Sequence, residues 1–236
     1  KLHKVMTYPV DQKTALHCVI TAGPTYESLD QVRRLTNFST GSLGAQFSAY
    51  LCSKGIRVTL LTGYYVTYEG AFEADSRIPF TTTTDLADKL KHLNNQKVDA
   101  IFHAAAVSDF AFGKVWEKPE QGEMEEIVLG KISTRSGTLL AELVPTPKIL
   151  PQLRHWFPNA YIVGWKYEVE GSKEKSSEKA IKQLNECQTD ACVLNGPAIG
   201  DGFEVYPKNQ KQPTSLTNRP ALFKFLRESL LDSKNA

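Results

Sequence analysis

"HCVITAGPTYESLDQVRRLTNFSTGSLGAQFSAYLCSKGIRVTLLTG", residues 17–63, decides how this chain folds. "HCVITAG" (17–23) is a short apolar run ending in glycine, the pattern of a buried strand. A polar loop follows. From about Gly41 to Lys54 the pattern is helical, with Phe47 and Leu51 one turn apart and the small Ala45 and Ala49 interspersed. Gly55 stands where a glycine ends a helix. "IRVTLLTG" (56–63) is a second strand. Strand, helix, strand in this order is the repeating unit of a parallel sheet.

The alternation continues outward. "RIPFTTTT" (77–84) reads as a third strand, and "TDLADKLKHLNN" as a helix with Thr84 or Asp85 near its cap. "VDAIFHAAAVSDF" (98–110) is the strongest strand signal and puts Ser108 and Asp109 at its carboxyl end. Residues 111–130 have no helical period and read as a flap, and 131–144 suggest a hairpin arm around Ser136-Gly137. "TPKILPQLRHWF" is a short helix with Pro147 in its first turn, or one that begins again at Pro151. A strand (160–170), a charged amphipathic helix, a strand (190–196), a short strand "FEVY" and a closing helix (219–233) complete the chain. The expectation is a single α/β domain over 1–236. Its core is a Rossmann-like, mostly parallel sheet with helices on both faces, with an irregular arm at 1–15 and a flap and hairpin excursion at about 111–144. Such sheets bind ligands outside the carboxyl ends of their strands. Strands end in a small or polar loop at Gly23, Gly63, Ser108-Asp109, Gly164-Trp165 and Asn195-Gly196, and four of these five line up as the candidate rim.

Composition removes several classes. A net charge of +2 is too small to argue for nucleic acid. No apolar run is long enough for a membrane span, and no secretory signal is present, so the expected location is the cytoplasm. Cys18, Cys52, Cys187 and Cys192 form no C-x-x-C pair and read as free thiols in a reducing compartment. The five histidines are scattered, without metal-ligand spacing.

Several constellations carry chemistry. No G-x-G-x-x-G follows the first strand, where the sequence is "TAGPTYESLD" with a single Gly23, and no G-x-x-x-x-G-K-[ST] is present. Yet "NFSTGSLG" leads into a helix start, which offers free N–H groups and the positive dipole end to an anion. The alternative is a Ser/Thr helix cap with glycines for helix–sheet packing. Asp109, after three alanines, can hold a ribose, a base amine or a metal-bound water, or can cap a turn. Lys131 can close over an anion or be a solvated lysine. Trp165 can stack on a base, with Lys166, Lys179 and Lys182 near phosphates, or be core. Tyr50-x-x-x-Lys54 has a dehydrogenase spacing but lies too early in the chain.

Together, "ITAGPTYESLDQVRRLTNFSTGSLG", "AAAVSDF", "GKI", "LVPTPKIL" and "VGWKYE" resemble the phosphopantothenate–cysteine ligase family of coenzyme A biosynthesis, over roughly residues 17–232. The resemblance implies the free-standing form, without flavin. It implies a ligase that activates the 4′-phosphopantothenate carboxylate with a nucleoside triphosphate and Mg²⁺, releases pyrophosphate, and joins the acyl-nucleotide to cysteine. Asn37 would stabilise the acyl-nucleotide, and Lys131 would act on the carboxylate and α-phosphate. Gly23, Ser39, Gly41 and Gly44 would meet the triphosphate. His103, Ala104, Ala105 and Asp109 would surround base and sugar, and Pro147, Lys148, Ile149 and Leu150 would form a nucleotide-binding helix start. Trp165 takes an aromatic position that is usually Phe, Lys179 reaches in from the next helix, and Ala106 lies beside the phosphopantothenate.

The resemblance further implies a homodimer that shares flap residues, and CTP ahead of ATP. The chain departs from the family pattern at Ser42, usually lysine, at Ser133-Thr134, usually lysines, and at Gly196, usually aspartate. Two other readings stand beside the ligase: a nicotinamide-dependent reductase on a Rossmann-like fold, and a non-catalytic nucleotide-binding relative.

Overall fold

Six consecutive buried residues, His17–Ala22, form β1. A strand buried on both faces must lie inside a sheet that is covered on both sides, which is why its sequence is a mostly apolar run rather than an alternation. The computed structural model describes residues 16–119, 123–127, 138–210 and 212–235. After β1 the chain makes a short antiparallel hairpin, β2 (Tyr26–Ser28) and β3 (Arg34–Thr36). Helix α1 (Ser42–Cys52) then leads to β4 (Arg57–Gly63). Gly55 ends this helix with φ +72°, as the sequence indicates.

A loop without a helix joins β4 to β5 (Ser76–Phe80). Helix α2 (Thr83–His92) follows. Its cap is Thr82, whose hydroxyl accepts from Asp85 N at 3.2 Å, and not Thr84 or Asp85. Asp85 instead turns back and accepts from Thr81 N at 2.8 Å. Strand β6 is shorter than the apolar signal, Ala100–His103. Ser108 and Asp109 therefore lie beyond its end, at the foot of an arm.

That arm is regular. Its strands β7 (Phe110–Lys118), β8 (Glu125–Glu126) and β9 (Thr138–Pro145) make an antiparallel sheet of their own in the order β8-β7-β9. Residues 1–15 and 128–137, which include the expected irregular arm and the Ser136-Gly137 turn, lie outside the described residues. Helix α3 (Leu150–Trp156) has Pro151, not Pro147, in its first turn. Strand β10 (Tyr161–Tyr167), helix α4 (Lys173–Glu186) and strand β11 (Ala191–Asn195) then complete the parallel part. Gly164 and Trp165 thus lie inside β10 rather than at its end. The antiparallel strands β12 (Phe203–Pro207) and β13 (Thr214–Leu216) and helix α5 (Arg219–Asn235) close the fold.

The main sheet has eight strands in the order β13-β12-β11-β10-β6-β1-β4-β5, parallel from β11 to β5. Two cores sandwich it. On one face Phe47 and Leu51 of α1 and Phe223 and Leu226 of α5 pack with Ile20, Val58 and Phe102. On the other, Leu86 and Leu90 of α2 and Leu153 of α3 pack with Val19, Leu61 and Ile162. Ala180 and Leu184 of α4 pack beside them on Cys192 and Leu194. The mostly parallel sheet with helices on both faces is as the alternation requires. Among the described residues no helix is long and apolar enough to cross a membrane.

Candidate functional site

Strand order reverses at β1. The chain runs from β1 to β4 and β5 on one side, then returns with β6 on the other. Parallel sheets bind ligands at the carboxyl ends of strands that flank such a reversal. Here β1 and β6 stay coupled beyond their ends. Ala106 N donates to Gly23 O at 3.0 Å, and Thr25 N donates to Ala106 O at 3.1 Å. Asn37 Nδ2 donates to the same Ala106 oxygen at 3.3 Å. Asn37 and Ala106, distant in sequence, therefore meet at the mouth of the crevice.

The start of α1 lies beside this contact. A Ser/Thr side-chain cap is not what begins the helix. The cap is Gly41, at φ +79°, without a side-chain bond of its own. Thr40 Oγ1 accepts from Ser42 N at 3.2 Å. The first-turn N–H groups have no acceptor within the helix, which leaves the positive dipole end for an anion. The glycines also have local packing reasons. A Cβ on Gly23 would lie 2.3 Å from Val66 Cγ1, and one on Gly41 2.7 Å from the same atom. The loop after β4 thus inserts Val66 against both. A Cβ on Gly44 would lie 2.5 Å from Ala22 Cβ, so Gly44 lets α1 sit close on β1. Ser39 is half-buried on the approach to the helix.

A cavity of about 620 Å³ adjoins the β6 end. His103 and Ala105 line it from β6 and its extension, Asp109 from the foot of the arm, and Lys148, Ile149 and Leu150 from the start of α3. Trp165 of β10 and Lys179 of α4 face it from the far side. Gly164 is what lets Leu150 close the wall, since a Cβ there would meet Leu150 Cδ2 at 2.8 Å. Ala104 and Pro147 are not in the lining. Lys131 lies outside the described residues.

Burial holds the His103 imidazole down to a pKa of about 4. Its Nδ1 is 2.9 Å from Thr21 Oγ1, and that oxygen also accepts from Ala105 N at 3.1 Å. The Thr21 hydrogen has a partner only if it is donated to Nδ1, which leaves the ring hydrogen on Nε2. His103 thus presents a neutral imidazole to the cavity. The Trp165 indole N–H is buried and has no acceptor among the described residues.

Positive charge dominates the rim, from Lys148, Lys166, Lys179 and Lys182. Lys148 pairs with Asp109 across the cavity mouth. Lys179 pairs with Glu168, and Lys166 stands 3.6 Å from the same carboxylate. Glu168 closes "VGWKYE", but sequence does not mark it as a lysine partner, because two glutamates in "WKYEVE" look like the solvent face of a strand. The foot of the arm is held by buried hydroxyls that sequence also does not reveal. Ser108 N donates to Thr25 Oγ1 at 2.8 Å, and Thr146 Oγ1 donates to Ser108 O at 2.5 Å. These bonds fix both ends of the arm, and with them Asp109.

The misplaced dehydrogenase pair has a structural explanation. The Lys54 ammonium stands over the Tyr50 ring, 5.6 Å from its centroid, at the end of α1 remote from the crevice. All four cysteines are free thiols, and burial pushes Cys18 and Cys192 up to about 12. Among the described residues no three His, Cys, Asp or Glu side chains cluster as a metal site. The described donor set therefore does not fit a protein-built Mg²⁺ cage.

A family model, "DNA/pantothenate metabolism flavoprotein C-terminal domain", matches residues 14–212. The coenzyme A biosynthesis bifunctional protein CoaBC of Thermococcus kodakarensis is 30% identical over 179 residues, which cover 75% of this chain and 40% of that protein. The chain thus spans less than half the length of the curated relatives it matches. Among solved structures, the DNA/pantothenate metabolism flavoprotein from Streptococcus pneumoniae superposes with a TM-score of 0.78 at 24% identity, covering 92% of this chain and 99% of that one. A Cab2 mutant in complex with phosphopantothenate-cysteine superposes with a TM-score of 0.70 at 20% identity, covering 92% and 85%. At these identities the two structures establish a shared fold. With the family model spanning most of its length, the chain belongs to the DNA/pantothenate metabolism flavoprotein C-terminal domain family.

Proposed function

We propose that this protein is a phosphopantothenate–cysteine ligase of coenzyme A biosynthesis. The observation that carries the proposal is the single cavity that gathers His103, Asp109, Lys148, Trp165 and Lys179 beside the Asn37–Ala106 contact. These residues come from five separate segments. The family membership and the relatives named for coenzyme A biosynthesis point the same way.

The nucleotide base and sugar occupy the cavity between Trp165, His103 and Leu150. The phosphates face the lysines and the α1 N-terminus, where charge and free N–H groups favour an anion. The pantothenate carboxylate attacks the α-phosphate and pyrophosphate leaves, with Lys131 supporting the developing charge. Asn37 donates a hydrogen bond that holds the acyl-nucleotide while the cysteine amine attacks its carbonyl carbon, and the nucleoside monophosphate leaves. Mg²⁺ is read as part of the nucleotide substrate, coordinated by phosphate oxygens and water. CTP is favoured over ATP. The working unit is a homodimer in the cytoplasm. Exposed Phe110 and Leu143, diagonal neighbours on one face of the arm, support the dimer, because apolar side chains grouped on a surface mark an interface.

A ligation assay with 4′-phosphopantothenate, cysteine, Mg²⁺ and a panel of nucleoside triphosphates tests the proposal. Product formation with stoichiometric pyrophosphate supports it. Protection of the protein by NADPH and not by CTP or ATP would replace it with the reductase.

A further inference from the structure

Among the carboxylates that pair with the lysine rim, Glu168 is buried, whereas Asp109 and Glu186 are exposed. The residue surface of Glu168 is 7% exposed, whereas the Lys179 side chain it holds is 54% exposed. A carboxylate so buried needs a counter-charge and hydrogen bonds. It takes them from two lysines on different elements, Lys166 of β10 and Lys179 of α4, each of which lines the cavity.

The backbone around Glu168 is itself locked. Glu168 N donates to Asn195 O at 3.0 Å, and Ala198 N donates to Glu168 O at 3.1 Å. Gly196 lies against this turn at φ +122°, and a Cβ there would fall 2.3 Å from Glu168 O. The residue after β11 must therefore be glycine for Glu168 to sit where it does. This accounts in local terms for a glycine at 196.

We propose that Glu168 is a positioning residue for the nucleotide. It fixes the Lys179 ammonium, and secondarily that of Lys166, at the cavity wall before the triphosphate arrives. The idea rests on the ligase reading of the same cavity. A flexible lysine otherwise loses rotameric freedom on meeting phosphate, and prior fixation removes that cost from binding. Two physical effects oppose each other. As a negative charge near phosphates, Glu168 would weaken binding. As an anchor, it strengthens binding. The locked backbone and the two-lysine geometry favour the anchor.

Glu168→Gln decides between them, because the amide keeps the shape and removes the charge. The anchor role predicts a roughly tenfold rise in the KM for CTP or ATP, the loss of about one charged hydrogen bond. It predicts kcat within about twofold and a little-changed melting temperature. In a Lys179→Ala background the same substitution should alter KM by less than about twofold, since the group it acts through is gone. A lower KM in Glu168→Gln, or an undiminished effect in the Lys179→Ala background, would overturn the proposal. Direct titration of each protein with CTP and with ATP separates the two levels of inference. If the unaltered protein binds neither nucleotide, the ligase reading and the anchor fall together. If it binds one and Glu168→Gln binds equally well, the anchor alone falls.

Discussion

Lowering the pH should destabilise this fold through His103, and the size of the effect follows from its site. Burial holds the imidazole at about 4 against an ordinary value of 6.5. Above pH 6.5 the ring is neutral in both the folded and the unfolded chain, and its contribution is complete. Below that value the unfolded chain takes up a proton that the folded chain refuses. Stability then falls by up to about 1.4 kcal/mol per pH unit, reaching a loss of about 3 kcal/mol near pH 4. A domain's whole stability is roughly 5–15 kcal/mol, so the loss is large. His103→Asn isolates it, because the Asn carbonyl oxygen takes the place of Nδ1 opposite Thr21 and does not titrate. Urea unfolding of both proteins at pH 7.5, 5.5 and 4.5 measures the effect. Between pH 7.5 and 4.5 the unaltered protein should lose about 2–3 kcal/mol more than His103→Asn. His17, whose pKa burial also lowers, titrates in both proteins and cancels from the comparison. Equal losses in the two proteins would refute the buried neutral imidazole.

Three further outcomes follow from the site and its packing. Asn37→Asp should form the acyl-nucleotide and then stall, because a new negative charge faces an anionic intermediate. Mass spectrometry of the bound species checks this, and unchanged turnover would refute the role. Lys131→Gln should suppress pyrophosphate release itself, and normal release would count against an activating lysine. Gly44→Ala should lower stability by about 1–2 kcal/mol, overpacking against Ala22 being only partly offset by better helix propensity. An unchanged unfolding midpoint would remove the packing account of that glycine.

The parts legible in sequence are those whose signal is local. The apolar run of β1, the helical spacing of α1 and the glycine at 55 each report a structure that neighbours in sequence determine. Strand β7 was not legible, because its arm is exposed on most positions and the alternation of apolar and polar residues is lost. The hairpin of β2 and β3 is too short to carry a period. Two prolines leave the α3 start open between Pro147 and Pro151, and the helix takes the second, with Leu150 close against Gly164. In the site, Asn37, Asp109 and Trp165 could be singled out from motifs. Val66 filling the space at Gly23 and Gly41 could not, nor could the pairing of Glu168 with Lys179, since both depend on contacts between separate segments.

The central claim is that the crevice activates a carboxylate with a nucleotide and passes it to an amine. Single-turnover incubation with 4′-phosphopantothenate and Mg-CTP, followed by addition of cysteine, tests it most directly. Pyrophosphate and an acyl-cytidylate are expected before cysteine is added, then phosphopantothenoylcysteine and CMP in equal amounts afterwards. Absence of pyrophosphate and product with both CTP and ATP, from folded protein, would contradict it.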